Sequence, residues 1–237
     1  MKNSTLYHRR LNRILKAVDL KKPDRTPVVL EYAGFAAYVT RTQMAEFLSS
    51  PTKTLATMIQ AFKMVGGADA INYGSFWPYG LCYDYMSKVR VPGVDLPADE
   101  MWQVVETELM TRDDYDLILS KGWPAYSKAF LNQRIFHEVP DEYLPPRRKS
   151  PDAQKAWHRE GVPVLSGGDV TTPYELLCGS RSLMEFSMDL FDMPDKVIAA
   201  MEAMVPHLAV KAIRGAKQRG YPLVWVGGWQ TAPCMLS

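Results

Sequence analysis

Four short apolar runs constrain this chain more than any other feature. They are residues 27–32 (PVVLEY), 69–73 (DAINY), 162–168 (VPVLSGG) and 222–226 (PLVWV). Their apolar residues are consecutive rather than alternating, as in strands buried on both faces of a parallel sheet. Helical stretches separate them. Residues 42–49 and 52–64 read as helices, with Pro51 as a helix start and Gly66-Gly67 as a stop. Further helices are expected over 113–120, capped by Thr111, over 153–159, 173–177 and 183–190, and from an Asp192 cap to about Arg219. Residues 102–108 read as an outlying strand. Parallel strands joined by helices imply right-handed crossovers in an α/β fold, with a barrel and a doubly wound sheet both open. No G-x-G-x-x-G and no Walker lysine follows any run, which removes the best evidence for dinucleotide binding.

Composition narrows the function classes. Of 237 residues, 47% are hydrophobic and 23% charged, with a net charge of +2, so a folded core is expected and disorder is not. No run of about 18 apolar residues occurs, so no membrane span is expected. The first 25 residues are basic and the remainder is net acidic, which is no footprint for nucleic acid. The basic start reads as a folded amphipathic helix rather than a transit peptide, because Leu11, Ile14, Leu15 and Val18 share one face. Cys82, Cys178 and Cys234 are far apart and odd in number, which suggests a reducing, cytoplasmic compartment. We read residues 1–237 as one domain, with residues 133–160, rich in Pro140, Pro145, Pro146 and Pro151, as a surface excursion.

Several motifs occur in a recognisable order. They are residues 10–17 with Pro23-Asp24-Arg25-Thr26-Pro27-Val28, then Ala33-Gly34, Gly67-Ala68-Asp69-Ala70, Val91-Pro92-Gly93, residues 113–122 and 163–167, Thr172-Pro173-Tyr174 and the helix after Met193-Pro194. In that order the chain resembles the uroporphyrinogen decarboxylase superfamily. The resemblance implies a (β/α)8 TIM-type barrel, of which this chain would hold the first four strands. The others would lie beyond Ser237, or a second copy or another chain would complete the fold.

The resemblance also implies an enzyme, and its branches differ in their residues. Decarboxylase members place carboxylate-binding arginines around the first Ala-Gly, where this chain has Glu31, Tyr32 and Phe35. Their aspartate after the second strand is replaced by Tyr73-Gly74-Ser75-Phe76, and their Ser-His pair by Gly227-Gly228-Trp229. By elimination the methyltransferase branch matches better. Its members pass methyl groups between corrinoids and thiols, with zinc held by a His-x-Cys and a further Cys. Zinc and a corrinoid protein partner are thus expected only if a His-x-Cys follows Ser237. The alternatives are decarboxylation of a porphyrinogen-like or other carboxylated substrate, and a non-catalytic binding protein.

Barrel chemistry sits at the C-terminal ends of strands. That rule selects Glu31 and Asp169 as catalytic candidates. Glu31 follows an apolar run and is expected to be desolvated like a general acid, although a salt bridge explains it as well. Asp169 has a bland alternative, capping the next helix with Thr171 and Thr172. Tyr32, Tyr73, Trp77, Tyr83 and Trp229 are candidates for a wall binding a small or aromatic substrate, or for core packing. Trp77 and Tyr83 lie in the aromatic, Gly/Pro-rich stretch 74–98, a kind of long loop that is often functional. No histidine (His8, His137, His158, His207) sits at a strand end, and Cys234 is a lone metal candidate.

Overall fold

The computed structural model describes residues 2–144, 152–219, 223–228 and 230. The chain is α/β. It opens with α1 (Lys2–Val18), β1 (Val29–Leu30), α2 (Gly34–Thr40), α3 (Met44–Leu48), α4 (Pro51–Val65) and β2 (Ala70–Ile71). The middle holds α5 (Leu81–Tyr85), β3 (Val89–Arg90), β4 (Gln103–Val104), α6 (Asp114–Lys121), α7 (Trp123–Arg134) and α8 (Ala153–Arg159). The last third holds β5 (Ser166–Thr171), α9 (Pro173–Arg181), α10 (Leu183–Asp192), α11 (Pro194–Arg219) and β6 (Leu223–Gly227).

Local chemistry explains the helix ends. Pro51 occupies the first turn of α4, and Ser50 caps it by accepting from Lys53 N–H at 3.2 Å. Thr172 caps α9 and Asp152 caps α8 in the same way. Two expected caps are not used. Thr111 instead donates its backbone N–H to Asp114 at 2.7 Å, and Asp192 pairs with Arg112 at 2.6 Å.

The expected four-strand portion of a (β/α)8 barrel is not what the chain forms. The described residues make three two-stranded sheets and no closed barrel. β1 and β2 run parallel over two residue pairs, and a single parallel bridge joins Ile71 to Val164. β5 and β6 run parallel over five pairs, and β3 pairs antiparallel with β4. Ladders this short supply neither the strand number nor the shear that closure needs. The third apolar run also starts its strand late, at Ser166, so its glycines lie inside β5 rather than ending it. The cause is close packing: a Cβ on Gly168 would overlap the Ala212 carbonyl of α11. Gly215 of α11 is less tightly seated: a Cβ added there would lie 3.3 Å from the Gly167 carbonyl and 3.5 Å from the Gly168 Cα.

Two large buried clusters form most of the core, with a small third one of Ile14, Ala70 and Leu165. One gathers Tyr115, Ile118, Tyr126 and Phe130 of α6 and α7 with Leu176, Phe186 and Met204. The other packs Phe47, Met58 and Phe62 with Trp157, whose Nε1–H donates to the Gly74 carbonyl at 2.7 Å. Trp157 is fully buried, so the end of the 133–160 stretch belongs to the core; residues 145–151 lie outside the described ones. No helix among the described residues is long and apolar enough to cross a membrane.

Buried ions lock these layers together. Asp69 receives Arg13, Arg25 (2.6 Å) and the Val28 N–H (3.0 Å), joining α1, β1 and the start of β2. Asp189, fully buried, receives Arg181 and Arg112, each at 2.7 Å, and the Tyr115 hydroxyl at 2.9 Å. Burial alone would raise the pKa of Asp189, but hydrogen bonds from Arg181 and Tyr115 outweigh it and hold the group below its ordinary value. Replacing Arg181 with Met should cost about 3–5 kcal/mol by removing the buried one of the two arginines that neutralise Asp189, read by guanidinium unfolding, and Asp189→Leu added to it should restore most of the loss. The Asp189 contribution is present above the ordinary aspartate range and is lost as pH falls below about 4, where the unfolded chain takes up the proton first.

Candidate functional site

A cavity of about 820 Å³ opens beside the parallel strands. Glu31, Tyr32, Tyr73, Trp77 and Asp169 all line it, so five of the seven residues selected from the sequence meet there. Tyr83 does not. It lines a separate 480 Å³ cavity and packs on Phe136, with ring centroids 5.1 Å apart. Trp229 lies outside the described residues, as does Cys234.

The roles of these residues differ from the expectation. Glu31 is exposed rather than desolvated, and it accepts a hydrogen bond from Asn72 Nδ2 at 2.7 Å. It lies just past a two-residue strand, too short to enclose it. Tyr32 spends its hydroxyl on the Met58 carbonyl at 2.6 Å, so it offers the cavity a ring and not a proton. Tyr73 is raised well above its ordinary pKa, first by burial and then by the Glu31 charge, and stays a neutral hydroxyl. Asp169 is exposed, lies in mid-strand and does not cap α9.

Two residues that the sequence reading passed over complete the site. Trp225 of β6 meets Tyr73 edge-on at 6.0 Å. Asp84 of α5 is a partly buried carboxyl on the cavity wall, reached by the Thr171 hydroxyl at 3.5 Å. Burial, and then the Asp169 charge, pushes Asp84 up to about 6, against the opposing pull of Lys211 and Thr171. α5 is seated tightly, because Gly179 of α9 lies where any Cβ would overlap the Tyr85 carbonyl. A signal for Asp84 was present: it is the one charged residue between Asp69 and Lys88, inside the aromatic stretch 74–98.

Phe76 and Trp102 pack at 4.3 Å and extend the aromatic lining. Four carboxylates border the cavity (Glu31, Asp84, Asp152 and Asp169), and no Lys or Arg does so among the described residues. No protein-family model matches the chain, and neither does any curated protein or solved structure. Zinc ligands are not assembled either. Among the described residues no group of three His, Cys, Asp or Glu is placed to hold a metal. Cys82 and Cys178 are buried, and burial pushes each thiol up to about 12, far from a ready thiolate ligand.

Asp84→Asn tests the shifted carboxyl. A folded pKa raised above the unfolded one costs stability at high pH. The variant should therefore be more stable than the parent above pH 6, by at most about 3 kcal/mol. The difference should vanish below about pH 4. Urea melts at pH 4, 6 and 8 measure it.

Proposed function

We propose that this cavity binds a small aromatic substrate without carboxylates, and that the protein transfers a methyl group from it. The observation that supports this reading is the cavity's chemistry: tyrosine and tryptophan rings, four carboxylates and no cation among the described lining residues. A porphyrinogen brings up to eight carboxylates, which arginine clamps pair well and an acidic wall repels. The decarboxylase reading is correspondingly weaker. The choice of methyl transfer rests on the sequence resemblance.

In such a reaction an aryl methyl ether gives its methyl group to an acceptor, and the C–O electron pair stays on oxygen. That oxygen needs a proton as it leaves. Asp84, held near pH 6, carries a proton for a useful fraction of the time at neutral pH and can supply it. The acceptor, a thiol or corrinoid carried by a partner, enters as a second substrate. No step is assigned to zinc, because the described residues do not form a set of ligands for it.

Trp77, Trp102 and Trp225 line the cavity and report on it. Methoxyphenol and trimethylphenylammonium should quench tryptophan fluorescence with Kd values about tenfold or more below that of benzenetricarboxylate. With a thiol or corrinoid acceptor, methoxyphenol should lose its methyl group. Asp84→Asn should cut that rate by about 10²–10⁴-fold with Kd nearly unchanged. Tighter binding of the tricarboxylate, or stepwise conversion of uroporphyrinogen to coproporphyrinogen, would overturn the proposal. Binding without any turnover would replace it with a binding protein.

A further inference from the structure

A second cavity, about 670 Å³, lies between α11 and β5, and unlike the first it is lined by cations. His207, Lys211, Arg214 and Gln218 of α11 line it. Their spacing puts them on one face of the helix. Gly168, Asp169 and Pro124 form the facing wall. Lys128 of α7 lines the adjoining 480 Å³ cavity, which shares His207 and Lys211 with this one.

Several of the protein's cations are already neutralised by carboxylates, and these are not. Arg13, Arg112, Arg134, Arg181, Lys53, Lys63, Lys88 and Lys196 each pair with a carboxylate. Lys128, Lys211 and Arg214 have no ion pair with any described residue, and Asp169 is the one acid among the described residues lining the 670 Å³ cavity. An uncompensated cluster of donors in a concave site suits an anion that accepts several charge-assisted hydrogen bonds.

We propose that the cleft between α11 and β5 binds a phosphate group through Lys211 and Arg214. These two lie three residues apart on one helix face, and a phosphate has more acceptor oxygens than a carboxylate to take their several N–H donors. The two cavities border on Asp169, and Lys211 is also the cation that acts on Asp84. A bound anion would offset that cation, so occupancy of the cleft would be felt at the acid of the first cavity.

Calorimetric titration with inorganic phosphate in low salt tests the site. The parent chain should bind saturably and lose affinity as potassium chloride is added. The double variant Lys211→Gln, Arg214→Gln should bind about tenfold more weakly or worse, having lost two charged donors. Lys217→Gln, an exposed change on the same helix outside the cleft, should bind like the parent. All three residues are exposed, so melting curves should show every variant folded. A nucleoside monophosphate that binds over tenfold tighter than phosphate assigns the site to a nucleotide; equal binding assigns it to the phosphate group alone. No saturable heat from the parent, or unchanged binding by the double variant, would overturn the proposal.

Discussion

The close contact of α11 with β5 governs the arrangement of everything near the cavities. Gly168 and Gly215 let a helix backbone lie directly on a strand backbone, and any side chain at Gly168 would push them apart. That contact carries β5 past its glycines to Thr171 and gives β6 five residues to pair with. It also leaves Asp169 in mid-strand, bordering an acidic aromatic cavity and a basic cleft at once. Two sites of opposite charge thus share one strand, and each shapes the field that the other feels.

The distribution of charge follows a simple physical economy. In the interior, Asp69 and Asp189 each collect two arginines and a further donor, so neither is stranded. Such hubs hold helices to strands and use up the arginines that a polyanionic ligand would need. Some of the groups left without such partners face the cavities. Asp84 is partly desolvated against tyrosines, and Lys211 and Arg214 reach into a cleft without a facing carboxylate apart from Asp169. Imbalance of this kind is more informative about binding than any count of surface charges.

Much of the local structure was legible in the sequence. Pro51 and Thr172 mark helix starts through chemistry confined to a few residues, and the apolar runs did locate the parallel strands. Where strands begin and end was less legible, because it depends on distant partners. Gly167-Gly168 read locally as a stop, yet the backbone of α11, more than forty residues away, turns them into the middle of a strand. The barrel expected from the order of the motifs failed on the same ground, since ladder length is a property of pairs of strands. At the site, the wall of Glu31, Tyr32, Tyr73, Trp77 and Asp169 was anticipated, but the buried acid was assigned to the wrong residue. Glu31 follows an apolar run but emerges into solvent, whereas Asp84 sits in the aromatic stretch 74–98, and its partial burial depends on Tyr73, Trp102 and Trp225 of other segments as well.

The docking of α1 has a consequence for how the chain is made. Asn3 donates to the Arg159 carbonyl and Arg10 to the Gly161 carbonyl, across 156 and 151 residues of sequence. During synthesis α1 therefore waits for residues 159–161 before its seat is complete. At roughly 5–20 residues per second the delay is on the order of ten seconds. Throughout that interval Ile14, which packs with Ala70 and Leu165 in the folded chain, lacks part of its cover, and Leu15 and Val18 stay exposed even after docking. A nascent segment that is both greasy and cationic is a natural client for a chaperone, so the same helix that later closes the structure makes the chain most vulnerable while it is being born.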